Sequence, residues 1–328
     1  MTVTLDDIAA ARRRIANVVF TTPLRVSEWL SSDGVAVLLK LETIQPTSSY
    51  KIRGALNAAQ RLFDDTSEAA RRLFDNPEAA PRLVTASAGN HGKALAYAAR
   101  MLNLPLIVFI AANAPRAKID AIRAAGADLR ECADYDAAER EAKDYAAAGH
   151  GIYISPYSHP DVIAGAGTIG FELFEEEPYL DTVVVPMGGG GLISGIGIAL
   201  KALNPNLRVI GVEVEASCPF TKSLEAGRLV AIEVRPSLAD GLTGNLDPDT
   251  ITLDIVKEVV DEIVLVDEPL LREALAGVMK HEHILIEGAA AAGVAAILGG
   301  KIQLRGNVAV ILTGANIDLE RLTDILST

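Results

Sequence analysis

The chain predicts an α/β fold with mainly parallel sheets covered by helices, and three observations carry that expectation. Short β-branched or aliphatic runs alternate with stretches of helical length along the 328 residues. Several of the short runs end in glycine-rich or polar turns, as strands feeding a ligand crevice do. Half of the residues are apolar and 22% are charged, an ordinary globular balance that excludes wholesale disorder. A chain of this length exceeds one small core, so one large domain or two packed domains are expected.

In chain order, residues 4–16 read as a helix, 35–41 as a strand and 53–62 as a helix entered from a turn-rich segment. The polar, charged stretch 64–81 has no strong period and reads as a helix plus a surface loop. Residues 83–86 form a strand, 92–102 a helix and 106–110 the next strand. A helix over 115–125 starts at a proline and stops at Gly126, before a strand at 128–131. A helix at 136–148 follows, then a strand at 182–186, a helix at 193–203 and a strand at 209–213. The chain closes with a helix at 268–281, a tightly packed alanine-rich helix at 288–300 and a strand at 308–312. No fixed repeat, low-complexity tail or Pro/Ser-rich hinge occurs, so any two domains must interleave through short crossings.

Charge and cysteine content narrow the function classes. Thirty basic against forty-three acidic residues leave a net charge of −13, and the longest basic run is Arg12, Arg13 and Arg14, which argues against nucleic-acid binding. Cys132 and Cys218 offer neither a disulfide framework nor a CxxC metal pair, which fits a reducing compartment. The first twenty residues lack the pattern of a signal peptide. Residues 182–200 imitate a membrane span, nineteen positions without a charge, but Pro186 and four consecutive glycines would break a spanning helix. A cytoplasmic protein with no membrane partner is the expectation.

Four loops carry chemistry. In PTSSYKIRGA, residues 46–55, a turn runs into a helix and sets Lys51 near its start. The positive end of a helix favours the neutral form of an amine, the form a Schiff-base lysine needs, although nine other lysines make any single one a weak pointer. In TASAGNHG, residues 85–92, a strand gives way to a helix start whose N–H groups can hold a carboxylate; plain capping by Ser87 and Asn90 explains it equally well. Gly188, Gly189, Gly190 and Gly191 follow the strand at 182–186 and precede a helix. Four glycines let the backbone curl round an anion, and without a Lys-Ser/Thr ending or GxGxxG spacing a phosphate monoester suits them best. Thr313-Gly314-Ala315-Asn316 places a hydroxyl at a strand's C-terminal edge; alone it would be a turn and no more. A lysine, a carboxylate cradle, a phosphate cradle and a hydroxyl together suit pyridoxal 5′-phosphate holding an amino acid.

With those motifs in that order, the chain resembles the fold-type II pyridoxal-phosphate enzymes (tryptophan synthase β-like), specifically the threonine/serine dehydratase and serine racemase group. PTSSYKIRGA stands for the family's PTGSFKIRGA, SAGNHG and GGGGLISG for its two loops, and TGAN for SGGN, over nearly the whole chain. The resemblance implies two interleaved domains, each with a mainly parallel sheet flanked by helices. Residues 1–54 and 153–328 would form a large cofactor-binding domain and 55–152 a small one carrying the carboxylate loop. It implies that Lys51 binds the cofactor covalently and removes the substrate Cα proton, that Tyr50 walls the ring, and that Asn90 bonds the ring hydroxyl. Gly188 to Gly191 would hold the phosphate, and Thr313 would face the pyridine nitrogen and leave it unprotonated. Ser87, Ala88, Gly89, Asn90 and His91 would hold the substrate carboxylate, with Gly241, in the loop 237–242, close by. The implied activity is an ammonia-lyase: β-elimination of water from a β-hydroxy L-amino acid of the threonine or serine type, giving a 2-oxo acid and ammonia. The implied assembly is a homodimer.

Departures from the family pattern sharpen the expectation. Ala88 stands where serine racemases carry a second serine, the base on the opposite face, so dehydration is favoured over racemisation. Ser48 replaces a glycine. Glu213 and the Ser217 carbonyl match two donors of the family's divalent-metal site, but Pro219 stands where the family has an aspartate. His281 and His283 at i, i+2 point to different helix faces, which speaks against zinc. A separate regulatory domain, and with it isoleucine feedback, is not expected. The substrate stays open between threonine or serine and a bulkier or acidic β-hydroxy amino acid, such as phenylserine or 3-hydroxyaspartate, or a step in hydroxyectoine breakdown. A racemase and a non-catalytic binding protein of the same fold are the other readings.

Overall fold

In the computed structural model, which describes residues 3–65, 82–112, 114 and 116–326, the strands fall into two sheets. In chain order they are β1 (Leu24–Val26), β2 (Val35–Leu41), β3 (Leu83–Ala86), β4 (Leu106–Ala111), β5 (Asp128–Cys132), β6 (Ile152–Tyr153), β7 (Leu180–Pro186), β8 (Arg208–Val214), β9 (Glu262–Val266) and β10 (Gly306–Leu312). The larger sheet has the order β1-β2-β10-β7-β8-β9, the smaller one β5-β4-β3-β6. Only β1 runs antiparallel to its neighbour; the other pairs are parallel.

Parallel central strands are buried on both faces, which is why β7 and β10 read as unbroken aliphatic runs and not as alternation. Their C-terminal ends deliver three of the four loops to a crevice: residues 87–91 after β3, 188–191 after β7 and 313–316 after β10. The fourth loop precedes the helix Lys51–Asp65 and is stitched to the third, with Tyr50 N donating to Thr313 O at 3.0 Å and Ala315 N to Ser48 O at 2.9 Å. Helix Gly288–Leu298, mainly alanine and glycine, buries nearly its whole length against β7 and β10, as its composition predicts.

The expected elements are present, with edges shifted by a few residues. Additional are the short strands β1, β6 and β9 and the helices Pro160–Glu176, Pro219–Glu225, Thr252–Val259 and Leu319–Leu326. Helix Pro160–Glu176 is obscured in the sequence by Gly165, Gly167 and Gly170, which are glycines for packing: a Cβ on Gly165 would lie 2.6 Å from Gly54 Cα, and one on Gly170 2.6 Å from Ala199 Cβ. The expected helix at 268–281 is α-helical only over Glu268–Gly277, then passes into a wider π turn, Val278–Glu282, that ends at His283 with φ 58°. The helix at 136–148 likewise becomes a π turn, over Ala146–His150. Of the stretch 64–81, residues 66–81 lie outside the described residues, as does Pro115. The charge-free run 182–200 resolves into strand, glycine loop and buried helix, and no helix among the described residues is long and apolar enough to cross a membrane.

Candidate active site

Lys51 opens the helix Lys51–Asp65, and the first turn beyond it is clamped from below. Arg53, 1% exposed, donates to Glu42 Oε2 at 2.8 Å and Oε1 at 2.7 Å, and to Glu172 Oε1 at 2.6 Å and Oε2 at 2.9 Å. Lys40, fully buried, adds a bridge to Glu172 at 3.0 Å and another to Glu176 at 2.7 Å. Burial works against the Arg53 charge, but Glu42 and Glu172 outweigh it and hold the guanidinium above its ordinary range. Paired carboxylates meeting a planar five-donor fork make a rigid base for the lysine.

Above that base, Lys51 Nζ donates to the Pro156 carbonyl at 2.7 Å and stands 5.1 Å from the centre of the Tyr50 ring. The next residue along, Tyr157, lies flat against the glycine loop: a Cβ on Gly189 would overlap its ring, and one on Gly191 would come within 2.7 Å of its carbonyl oxygen. The loop turns at Gly190, φ 82°, a left-handed conformation that glycine adopts without strain, and runs into the helix Gly191–Leu203. The first N–H groups of that helix have no partner within it, and the Gly189 carbonyl accepts from Thr252 Oγ1 at 2.9 Å. Ser194 Oγ, one turn in, is buried without a partner. Glycine backbone, helix start and an unsatisfied hydroxyl together fit a phosphate monoester. Gly241 borders the same loop, its carbonyl oxygen 3.3 Å from where a Gly188 Cβ would stand.

Asn90 is oriented by a chain of side chains. Lys93 Nζ donates to Asn316 Oδ1 at 2.7 Å; Asn316 Nδ2 donates to Asn90 Oδ1 at 2.7 Å; Asn90 Nδ2 donates to Glu287 Oε1 at 2.7 Å. This fixes which end of the Asn90 amide is nitrogen and leaves its second N–H for another acceptor. Burial lowers the Lys93 amine below its usual range while Glu287 pulls the other way. Beside Asn90, His91 approaches the Ile154 carbonyl at 3.3 Å. Burial first, and then the Lys51 charge, push the imidazole down to about 3, so it is neutral and its buried Nδ1 has no partner. Ala88 packs against the core of the smaller sheet. Thr313 is buried beside Tyr50 at the end of β10.

Contacts through Pro156, Tyr157, Asn316 and Glu287 thus link Lys51, Tyr50, Asn90, the glycines 188–191, Gly241 and Thr313 with the loop 87–91. The structure also supplies residues that sequence patterns did not single out: Tyr157, Glu287, Lys93 and the Arg53 cluster. Arg53, as a letter of PTSSYKIRGA, and Asn316, as the last letter of TGAN, carried a signal without a role attached.

Glu213 is joined to the glycine loop through Phe220, whose ring lies against Gly190. Both Glu213 carboxylate oxygens are taken internally, Oε1 by Phe220 N at 2.9 Å and Oε2 by Thr221 N at 2.8 Å and Thr221 Oγ1 at 2.6 Å. Ser217 Oγ exchanges hydrogen bonds with the Gly244 backbone. Pro219 opens the helix Pro219–Glu225 and Glu215 is exposed. One internally satisfied carboxylate does not fit a divalent cation, which takes six or more oxygens. Among the described residues, no group of three or more His, Cys, Asp or Glu is arranged to hold a metal.

Comparison with known proteins agrees with this geometry. The family pattern described as "Pyridoxal-phosphate dependent enzyme" matches residues 15–314. The chain is 38% identical to the L-threonine ammonia-lyase of Thermotoga maritima, over 99% of this chain and 78% of that protein. It is 36% identical to the beta-hydroxyaspartate dehydratase of Paracoccus denitrificans, over 97% of this chain and 98% of that one. Among solved structures, maize serine racemase superposes with a TM-score of 0.88 at 29% identity, covering 100% of this chain and 98% of the other.

Proposed function

The chain belongs to the pyridoxal-phosphate dependent enzymes, and from that premise we propose that it is an ammonia-lyase removing water from a β-hydroxy L-amino acid. The observation that carries the proposal is the placing of the Lys51 amine, on Pro156 O at 2.7 Å, one residue from the ring that floors the glycine loop. When bound, pyridoxal phosphate supplies an electron-withdrawing ring that stabilises negative charge at the substrate Cα. The residues present fit that group. Lys51 would anchor it and move the Cα proton, and the N–H groups of residues 188–191 would hold its phosphate. The second Asn90 N–H would serve its ring hydroxyl, Thr313 its ring nitrogen, and Tyr50 would wall the ring. The loop 87–91 is the seat for the substrate carboxylate, next to the neutral ring of His91.

Loss of the β-hydroxyl needs proton traffic on one face only, and Ala88 has no proton to give on the other. That supports elimination over racemisation, although serine racemase shares the fold. Threonine or serine is the first substrate to try. The Paracoccus relative favours a second reading, the same elimination on 3-hydroxyaspartate. We place the domain boundary at residues 54/55 and 152/153, a homodimer as the working assembly and the cytoplasm as the location; the free Cys132 and Cys218 suit that compartment.

The test is an absorbance scan of purified protein with added cofactor, followed by L-threonine, L-serine and 3-hydroxyaspartate in turn, with 2-oxo acid and D-amino acid both assayed. A band disturbed by one of them, with 2-oxo acid released and little D-isomer, is the expected result. Lys51→Ala should lower kcat by about 10³-fold or more. Absence of any cofactor band, or racemisation as fast as elimination, would overturn the proposal.

A further inference from the structure

Residues 155–158 leave β6 and cross from the smaller sheet to the helix Pro160–Glu176 of the larger one. Five contacts fasten this crossing. The Pro156 carbonyl takes the Lys51 amine. The Tyr157 ring fills the space under Gly189, and its carbonyl sits under Gly191. The Tyr157 hydroxyl accepts from Asp247 N at 2.8 Å, and Ser158 Oγ from Ile251 N at 3.0 Å. The Asp247 carboxylate is in turn bridged to Lys143 at 2.9 Å, from the helix Tyr135–Tyr145 packed on the smaller sheet.

We propose that Tyr157 is a positioning residue that sets the distance between the Lys51 amine and the phosphate cradle. The residue before it, Pro156, takes the amine, Tyr157 itself meets the cradle, and its hydroxyl pins the far end of the ring to a third segment. Tyr157 meets two of the four loop glycines, Gly189 through its ring and Gly191 through its backbone. On this view Gly189 and Gly191 lack side chains because the Tyr157 ring and backbone already occupy that space, before any ligand is considered. Being buried and wedged between the loop and Asp247, the ring has no room to swing away. A displacement of about 1 Å at a reacting group costs on the order of 10²-fold, so a floor that fixes this spacing has leverage on function.

The inference rests on the pyridoxal-phosphate reading, and its test separates the two. Cofactor-free protein is titrated with pyridoxal phosphate and, separately, with pyridoxal, which lacks the phosphate. Wild-type protein that prefers neither would sink the family reading itself. Given that preference, Tyr157→Leu should weaken pyridoxal phosphate by about 10- to 100-fold and pyridoxal by less than about threefold, so the preference collapses. Tyr157→Phe keeps the ring and should keep the preference. A merely structural role would weaken both ligands alike and would follow the thermal midpoint. Should Tyr157→Leu not fold, the cradle side carries the test. Gly189→Ala, whose methyl group meets the ring, should lose the preference, and Gly189→Ala combined with Tyr157→Phe should not recover it. A preference retained in either Tyr157→Leu or Gly189→Ala, or lost equally for both ligands, overturns the proposal.

Discussion

Two groups of acids, one beneath Lys51 and one beyond the Tyr157 hydroxyl, have their charge balanced by different means. Under Lys51, Glu42 and Glu172 face Arg53 and Lys40, so cations close at hand neutralise them. Behind the Tyr157 hydroxyl, Glu139 and Asp247 share a single lysine, Lys143, 2.9 Å from Asp247 and 3.8 Å from Glu139. Tyr153 OH donates to Glu139 at 3.2 Å, and Asp249 draws on the same lysine at 3.3 Å. There the shortfall is met by a proton: burial, and then the hydrogen bond and charge of Asp247, push the Glu139 carboxyl up to about 8. Counter-ions balance the first group; a proton balances the second, which makes that contact titrate.

Arg53→Leu tests the first half of the contrast and should show the largest effect. It takes the cation from buried Glu42 and leaves Glu172 with Lys40 alone, and should cost about 3–5 kcal/mol in denaturant unfolding. Arg53→Lys should recover only part, because an ammonium cannot fork to two carboxylates. A loss under about 1 kcal/mol would mean that Arg53 is not what balances these acids. Glu213 sharpens the contrast, as a buried carboxylate held by two backbone N–H groups and one hydroxyl. Thr221→Val removes the hydroxyl and should cost about 1–3 kcal/mol in the same assay.

Glu139→Gln addresses the second half. Between the ordinary glutamate value, 4.5, and about 8, the folded chain keeps a proton that the unfolded chain has released, so wild-type stability falls as pH rises through that window. The glutamine variant lacks this loss. Its thermal midpoint relative to wild type should climb from pH 5 to pH 8 and then level off, whereas parallel curves would remove the proton from the account. The smallest effect is expected from metal removal. With Glu213 internally satisfied, a chelator should leave thermal midpoint and turnover unchanged, and restoration of either by Mg²⁺ would show that the cation displaces those hydrogen bonds.

How much of this was legible in the sequence divides along the same line. Strands β3, β7 and β10 and the loops behind them were readable because buried parallel strands are aliphatic runs and their loops carry glycine or small polar residues. Lys51, Asn90 and Thr313 were readable as letters of ordered motifs. Tyr157 was not, since one aromatic in a crossing segment has no period and its meaning lies in what it touches. Glu287 and Lys93 were hidden because they reach Asn90 from distant segments. The π turns after Gly277 and Tyr145 changed no side-chain pattern, and helix Pro160–Glu176 was masked by glycines whose reason is close packing. Ser48 shows the opposite case. The sequence flagged it as a serine in a glycine's place, and the backbone there keeps the glycine-like conformation, φ 57°.

The ion cluster around Arg53 has one more consequence. It fastens the first turn after Lys51 to Glu42, next to β2, and to Glu172, so the amine travels with the larger sheet. The loop 87–91 leaves the end of β3 and travels with the smaller one. On the proposed roles, the amine and the seat for the substrate carboxylate would then be tied to different sheets. Any closure of one sheet toward the other would change the gap between them, with the Asn90–Asn316 and Lys143–Asp247 contacts as the gauges of how far it had gone.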